Sequence, residues 1–283
     1  MGKPRVVIIG PGRMGQGLAL ALKRRGYAVT LVGRTQKDVA PSLSLYTGDL
    51  GGAVRDAELI LIATPDDAIR GVAVQLAETG AIGRDTVVLH LSGLLDRTAL
   101  EPLDASGAAL GSFHPLQTVV DANTTAERLK GAYAGVEGDD RAVVVAERLA
   151  NTLRMTSLRL ASAAKPAYHA GATFVANYTA ALLGVGERLA VRAGVAPELA
   201  AQIYLPLLTG AVANLSTLGP TEALTGAVRR GDTETINTHM LALEPDERQL
   251  YKDLGFAALK LARAGGLDEK TAKRVETALS KKR

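Results

Sequence analysis

Four polar side chains recur at four-residue steps through an otherwise apolar segment, namely Lys165, His169, Thr173 and Asn177. Residues four apart lie on the same face of a helix, so the spacing predicts a single polar stripe. Burying such a stripe is costly unless its groups are paired or used. Because lysine and histidine can deliver a proton to a reacting group, the stripe is a candidate site of proton transfer. The structural alternative is a helix-start lysine followed by a histidine bonded to a backbone carbonyl.

A second candidate for this chemistry is His114, in the stretch GSFHPLQT. We expect it just past the end of a strand, where sheets of alternating strands and helices bind their ligands, and Pro115 would make the backbone there rigid. Ser92 and Gly93 end the preceding strand in HLSG and would lie alongside. The alternatives are a histidine used only for packing and a simple turn at the strand end.

Three glycines stand in the stretch GPGRMG, directly after the β-rich RVVII and directly before an amphipathic segment. This context is typical of a dinucleotide-binding turn. Gly10 would permit the tight turn, Gly12 would let the backbone approach a pyrophosphate, and Gly15 would allow the helix to pack closely on the strand. The alternative is a packing turn without a ligand. The predicted cofactor contacts in this loop are Gly10, Pro11, Gly12, Arg13, Met14 and Gly15.

The end of the second predicted strand indicates which dinucleotide is bound. Sites that select NAD usually place an acidic residue there, whereas this chain has Arg34 and Thr35. A guanidinium can pair with the 2′-phosphate of NADP(H), and Lys37 could add a donor, so NADP(H) is the predicted cofactor. An ordinary surface arginine is the alternative. At the end of the third strand, Thr64 and Pro65 should lie beside the diphosphate, as should Ser92 after the next strand. Asp66 or Asp67 should cap the following helix.

The elements that must position these groups change character along the chain. Apolar runs alternate with helical patterns in the first part, which predicts an α/β fold with a doubly wound parallel sheet. From Lys165 onward every segment has a helical pattern. We therefore predict two domains, with residues 1–160 binding the nucleotide and residues 161–283 forming a helical domain for substrate binding and dimerisation. The chemistry is expected in the cleft between them.

Composition narrows the class of protein. The chain has 283 residues, 47% of them apolar, and no cysteine, which excludes disulfides and thiolate chemistry. Its four histidines show no metal-type spacing, so no metal is predicted; His90 and His239 are expected to be structural. A net charge of +4 and the absence of tryptophan make nucleic-acid binding improbable. With no long apolar run and no signal peptide, we expect a cytoplasmic protein without a membrane partner.

The combination of VIIGPGRMG, HLSG, SFHPLQT, KPAYHAGATFVAN and LTGAVRRGD resembles the predicted NADP oxidoreductases that join a Rossmann-like N-terminal domain to a DUF2520 domain. More distantly, the chain is similar to ketopantoate reductase, pyrroline-5-carboxylate reductase, prephenate dehydrogenase and the β-hydroxyacid dehydrogenases. These relatives imply a Rossmann-type domain followed by an all-helical domain like that of 6-phosphogluconate dehydrogenase. They also imply a homodimer formed through the helical domain.

The resemblance carries over to the candidate site residue by residue. In β-hydroxyacid dehydrogenases and ketopantoate reductases, a lysine at the place of Lys165 would be the proton donor, with an asparagine four residues later. Here His169 stands four residues later and the asparagine comes only at Asn177. In LTGAVRRGD, Arg229 or Arg230 would hold a substrate carboxylate, or the stretch would simply be a helix end at Gly231 and an N-cap at Asp232.

Together these patterns predict an NADP(H)-dependent oxidoreductase that transfers a hydride to a small, carboxylate-bearing oxo acid, with ketopantoate (2-dehydropantoate) as the leading substrate. A reductase of a cyclic imine or an enzyme acting on a prephenate-like compound is the first alternative. A non-catalytic NADP-binding sensor is the second, and it would not need proton donors. The predicted catalytic residues are Lys165, His169, His114 and Asn177.

Overall fold

Short runs rich in apolar residues form an eight-stranded sheet in this computed structural model, which describes residues 3–281. The strands are β1 (Val6–Ile9), β2 (Val29–Val32), β3 (Leu45–Tyr46), β4 (Leu59–Ile62), β5 (Val87–His90), β6 (Ala109–Leu116), β7 (Tyr133–Gly138) and β8 (Thr156–Arg159). Their order across the sheet is β3-β2-β1-β4-β5-β6-β7-β8. All neighbouring pairs are parallel except β6 and β7, so the doubly wound sheet predicted from the sequence is confirmed with one antiparallel pair.

The chain folds as two units, one ending at Asn177 and the other beginning at Tyr178. The domain boundary predicted at residue 160 stays a prediction. Helices of the first unit are α1 (Arg13–Lys23), α2 (Leu50–Val54), α3 (Asp66–Glu78), α4 (Ala122–Arg128), α5 (Asp140–Leu153) and α6 (Lys165–Ala172). Two 3₁₀ segments, Arg97–Ser106 and Ser162–Ala164, complete it together with a π-helical turn, Thr173–Asn177.

Both faces of the sheet are covered, which explains why strands β1 and β4 are apolar at every position. On one face, α1 and α5 pack against the sheet around Ile8 and Leu61. On the other, α3 packs its buried residues Ile69 and Leu76 against Ile60. This packing fixes the carboxyl ends of the strands, where the candidate site residues lie.

The helical pattern predicted after Lys165 is confirmed, but the turn Thr173–Asn177, which follows α6, is π-helical rather than α-helical. A π-turn bonds residues five apart, so it breaks the four-residue stripe proposed from the spacing. Lys165 and His169 share α6, whereas Asn177 ends the π-turn and is exposed.

Every element of the second unit is helical, as the sequence predicts. The helices are α7 (Tyr178–Arg192), α8 (Pro197–Ala200), α9 (Leu205–Ala223), α10 (Gly226–Arg230), α11 (Thr233–Ala242), α12 (Pro245–Ala264) and α13 (Glu269–Ser280), with a 3₁₀ turn at Gln202–Tyr204. Ile236, Leu259 and Val275 lie in the core that α11, α12 and α13 share.

Within residues 3–281, one segment, Pro197–Arg230, is long and apolar enough to cross a membrane by length and composition. Its most apolar window is only 6% buried. Gly219, with φ +74°, breaks the helical backbone within α9. An apolar face of this kind fits a protein partner as well as a lipid surface, so the segment alone does not indicate a membrane protein.

Candidate active site

The three glycines of the loop between β1 and α1, the glycine loop, have different surroundings: two are closely packed and one is open. Gly10 has φ +111°, and a Cβ there would lie 2.6 Å from the Ala63 carbonyl oxygen. A Cβ on Gly15 would collide with the Gly10 carbonyl oxygen. By contrast, a Cβ on Gly12 would meet nothing within 4 Å, and Gly12 is the exposed N-cap of α1. Only the middle glycine therefore leaves the backbone free to approach a ligand, as a diphosphate requires.

The residues around this loop fit a dinucleotide. Gln16 donates to the Pro11 carbonyl oxygen at 3.0 Å and accepts from the Ala40 backbone N–H at 2.9 Å, which ties the glycine loop to the segment after β2. Arg34 and Thr35 begin that segment and are exposed. The Thr64 hydroxyl, just after β4, is buried without a hydrogen-bond partner among residues 3–281. An unpaired buried hydroxyl and an exposed guanidinium are groups that a phosphate ligand would satisfy.

The two acidic residues after Pro65 do not cap α3, so that prediction is wrong. Pro65 is the N-cap, no side chain caps the helix, and Asp66 is its first residue. The Asp66 carboxylate instead accepts a hydrogen bond from the Ser92 hydroxyl at 2.8 Å. Ser92 Oγ in turn accepts from the backbone N–H groups of Leu94 and Leu95, so the turn after β5 is built around this serine.

Two imidazoles meet beside Gly93, in the turn that follows β5. A Cβ on Gly93 would lie 2.7 Å from His169 Nδ1 and 2.9 Å from His114 Nε2. The ring centroids of His114 and His169 are 5.7 Å apart in an edge-to-face arrangement. His169 Nδ1 is buried without a partner in the described part of the chain. The structure thus brings together two of the predicted proton donors, which we call the imidazole pair.

His114 lies inside β6, opposite Gly135 of β7, rather than past the strand end as predicted. The pairing of β5 with β6 stops at Ser112, while β6 continues with β7 as far as Leu116. One side of β6 is therefore an edge at Pro115, where proline is tolerated.

Burial lowers the pKa values of two histidines, His114 and His90. Burial, followed by the charges of His169 and Lys165, lowers the pKa of His114 to about 4. Burial also lowers the pKa of His90 to about 4, and this fully buried side chain bonds the Ser92 N–H and the Asp96 carbonyl oxygen. Both rings are neutral at pH 7, so His114 can donate a hydrogen bond to a ligand without carrying a charge.

Lys165 is fully buried, a placement that the sequence does not reveal. Its Nζ donates to the Ser112 hydroxyl at 2.7 Å and to the Ser92 carbonyl oxygen at 3.2 Å. The Ser112 hydroxyl in turn donates to the buried carboxylate of Glu137 at 3.2 Å. Burial lowers the pKa of Lys165, and the charges of Glu137, Asp96 and Asp66 oppose that change.

Sequence reasoning missed three residues of this site: Ser112, Glu137 and Tyr168. Glu137 gives the clearest signal, because it is the one charged residue in the strand sequence YAGVEG. A carboxylate in a buried strand is rarely tolerated without partners. Tyr168 contacts His114 and gives no signal beyond its position next to His169. Among the described residues, no group of three or more His, Asp or Glu side chains is placed to hold a metal ion.

The remaining predicted site residues lie in the second unit. Gly231, with φ +70°, ends α10, and Asp232 caps α11 by accepting from the Thr235 N–H at 3.1 Å. Arg229 donates to the Gly265 carbonyl oxygen, while Arg230 is exposed. The capping interpretation of LTGAVRRGD is thus present in the structure, and a substrate contact from either arginine stays a prediction. His239 lies in α11, where its Nδ1 is 3.0 Å from the Tyr251 hydroxyl.

Family models divide the chain into two parts. Residues 2–115 match the Rossmann-like domain, and residues 132–258 match the domain of unknown function DUF2520. The chain joins a Rossmann-like domain to a DUF2520 domain. The resemblance stated from the sequence motifs is therefore confirmed. The DUF2520 match begins before β7, so it includes Glu137, Lys165, Tyr168 and His169, whereas His114 belongs to the Rossmann-like match.

Solved structures share the fold over almost the whole chain. A candidate NADP oxidoreductase from Bacteroides fragilis matches with a TM-score of 0.71 and 21% identity, covering 93% of this chain and 98% of that one. Pyrroline carboxylate reductase from Plasmodium falciparum, solved with NADP bound, matches with a TM-score of 0.61 and 13% identity, covering 99% and 100%. The protein thus has the fold of NADP-bound oxidoreductases, in agreement with the predicted cofactor.

A curated relative is also an oxidoreductase. Glycerol-3-phosphate dehydrogenase [NAD(P)+] from Streptococcus uberis is 28% identical over 159 residues, which cover 50% of this chain and 42% of that protein. The chain spans about half the length of the curated relatives it matches. The comparisons support the oxidoreductase class.

Proposed function

We propose that the protein is an NADP(H)-dependent oxidoreductase that reduces a small oxo acid, with 2-dehydropantoate as the leading substrate. The observation that carries the proposal is the imidazole pair, His114 and His169, whose nitrogens approach one point beside Gly93. That point follows β5, on the carboxyl edge of the sheet, where the glycine loop also lies. A doubly wound sheet binds its ligands at this edge.

NADP(H) would be held by groups of the first unit. The backbone at Gly12 and the N-terminus of α1 would bind the diphosphate, and Arg34 with Thr35 would bind the 2′-phosphate. When bound, the cofactor supplies or accepts a hydride. The preference for NADP(H) rests on Arg34, because the fold itself serves either nicotinamide cofactor.

The side chains beside Gly93 would handle the proton. Reduction of a carbonyl leaves negative charge on its oxygen, which needs a positioned donor. A neutral His114 can donate from Nε2, and the unpartnered His169 Nδ1 can bind the same substrate atom or a neighbouring one. Lys165, which is buried and donates to Ser92 and Ser112, would position these groups rather than contact the substrate. Asn177 remains a predicted catalytic residue.

The same donors suit a cyclic imine, since protonation of an imine nitrogen also needs a positioned acid. This alternative is supported by the fold shared with pyrroline carboxylate reductase.

The test is NADPH oxidation by the purified protein with a panel of substrates. The panel contains 2-dehydropantoate, other 2-oxo acids and pyrroline-5-carboxylate, with prephenate and glycerol-3-phosphate tested in the oxidative direction with NADP+. Turnover of an oxo acid supports the proposal, and preferential turnover of the cyclic imine selects the alternative. NADPH binding without turnover of any compound would refute the enzyme and favour the sensor.

We also propose that the active form is a cytoplasmic homodimer joined through the second unit. Support comes from the apolar segment Pro197–Arg230, in which Leu207 is 69% and Val212 57% exposed. Sedimentation should give a dimer, and Leu207→Glu should shift it to monomer by burying a charge. A wild-type monomer, or partition of the protein into lipid vesicles, would contradict this.

A further inference from the structure

Tyr168 is an unassigned residue in direct contact with the imidazole pair. Its hydroxyl lies 3.1 Å from His114 Nδ1, and its ring meets the His114 ring edge-on with centroids 5.6 Å apart. Gly135 makes room for it, because a Cβ at that position would lie 3.1 Å from the Tyr168 hydroxyl oxygen. Gly135 is also the residue opposite His114 in the β6–β7 register. The absence of a side chain at Gly135 therefore lets the Tyr168 hydroxyl reach His114.

The direction of this hydrogen bond follows from the chemistry of the two groups. A neutral imidazole has one nitrogen that donates and one that accepts. Burial raises the pKa of Tyr168, partly offset by a backbone hydrogen bond at Gly135, so the phenol keeps its proton. If His114 Nδ1 carried a hydrogen, it would have no lone pair to offer, and the phenol proton of Tyr168 would lose Nδ1 as its acceptor. The arrangement that satisfies both groups has the phenol donating to Nδ1.

We propose that Tyr168 is a positioning residue that fixes the tautomer of His114. With Nδ1 accepting from the phenol, the ring hydrogen is on Nε2, the nitrogen on the Gly93 side of the ring. His114 then presents a donor to a carbonyl oxygen or an imine nitrogen, whereas the other tautomer would present a lone pair that repels either atom. The catalytic use of this tautomer rests on the proposed function, but the tautomer itself does not.

The chain contains a matched control in its second unit. His239 Nδ1 lies 3.0 Å from the Tyr251 hydroxyl, with ring centroids 5.8 Å apart and an interplanar angle of 87°. The His114–Tyr168 pair has the same interplanar angle. Tyr251→Phe thus removes an equivalent hydroxyl from a pair that has no part in the proposed site.

The test is the tautomeric state of His114 in protein labelled with 15N-histidine, read from two- and three-bond 1H–15N correlations without any ligand. His114→Asn assigns the His114 signals. We expect the Nε2–H tautomer in wild type and in Tyr251→Phe, and a mixture of both tautomers in Tyr168→Phe, which retains the ring. The Nδ1–H tautomer in wild type, or an unchanged Nε2–H state in a folded Tyr168→Phe, would overturn the inference.

Kinetics distinguish failure of this inference from failure of the proposed function. On a substrate that the wild type reduces, Tyr168→Phe should lower kcat about tenfold to a hundredfold, with little change in KM or in the Kd for NADPH. A normal kcat in Tyr168→Phe on such a substrate would overturn the catalytic role of the tautomer. If no substrate is reduced, the proposed function fails, and the NMR result alone decides the role of Tyr168.

Discussion

A methyl group on Gly93 should disable the imidazole pair while leaving the cofactor site intact. In Gly93→Ala the new Cβ would lie 2.7 Å from His169 Nδ1 and 2.8 Å from His114 Cε1. Favourable contacts between such atoms need about 3.5 Å or more, so the rings must move apart by roughly 0.7 Å or the backbone must shift. Misplacement of reacting groups by about 1 Å can cost about a hundredfold in rate.

We therefore expect kcat of Gly93→Ala to fall by about tenfold to a hundredfold, equivalent to about 1.4–2.7 kcal/mol in the activation barrier. Overpacking should also lower the free energy of unfolding by about 1–3 kcal/mol. The assays are steady-state kinetics, NADPH binding by fluorescence and urea denaturation. Gly71→Ala is the control, because this exposed glycine in α3 has nothing within 4 Å of an added Cβ. A folded Gly93→Ala protein with wild-type kcat would refute the assignment of the imidazole pair to substrate.

Three further changes test the cofactor site and the buried histidine. Gly12→Ala should weaken NADPH binding at least about tenfold without loss of thermal stability, because the position is open in the protein and needed only by the diphosphate; an unchanged Kd would contradict this. Arg34→Ala should remove most of the preference for NADPH over NADH, about tenfold to a hundredfold, since a charge-assisted hydrogen bond contributes about 1.5–3 kcal/mol; equal wild-type affinities would disprove the 2′-phosphate contact. His90 has a pKa lowered from 6.5 to about 4, so the unfolded state takes up a proton in this window that the folded state does not. The free energy of unfolding of wild type should therefore fall by about 3 kcal/mol between pH 7 and pH 4 on account of His90. The corresponding fall should be smaller in His90→Asn. If urea denaturation gives the same change in the free energy of unfolding with pH for both proteins, His90 is not a buried neutral imidazole.

The glycine loop and the strands were predictable because their signals are local. A parallel strand buried on both faces is a continuous apolar run, and a glycine that must take positive φ has few substitutes. Gly10, with φ +111°, and the strand Val6–Ile9 before it show both rules together. The direction of β7 has no such signal, since strand polarity depends on which neighbour the chain returns to rather than on the residues within the strand.

The strand ends predicted Gly93 alongside His114, but the approach of His169 to the same place was not predictable, because it depends on contacts between residues far apart in the sequence. His114 and His169 are 55 positions apart in the sequence, and nothing in either neighbourhood encodes their approach. The spacing of Lys165 and His169 suggested two groups on one face, yet one is fully buried and the other only partly. The π-turn at Thr173–Asn177 then moves the later members off the stripe, and no residue in it marks the change of helical period.

Lys165 accounts for the placement of the whole constellation. Its ammonium bonds Ser92 after β5 and Ser112 within β6, and Ser112 bonds Glu137 of β7, so one buried charge joins three neighbouring strands. An unpaired buried charge would cost several kcal/mol, which makes this set of partners a strong constraint on where α6 begins. Tyr168 and His169 follow three and four residues later, one helical turn on, and so face the same strand ends. Lys165 thus directs the next turn of α6 toward His114. The sequence predicted the proton-transfer groups on one helical stripe, whereas in the structure they come from α6 and β6, which Lys165 holds together.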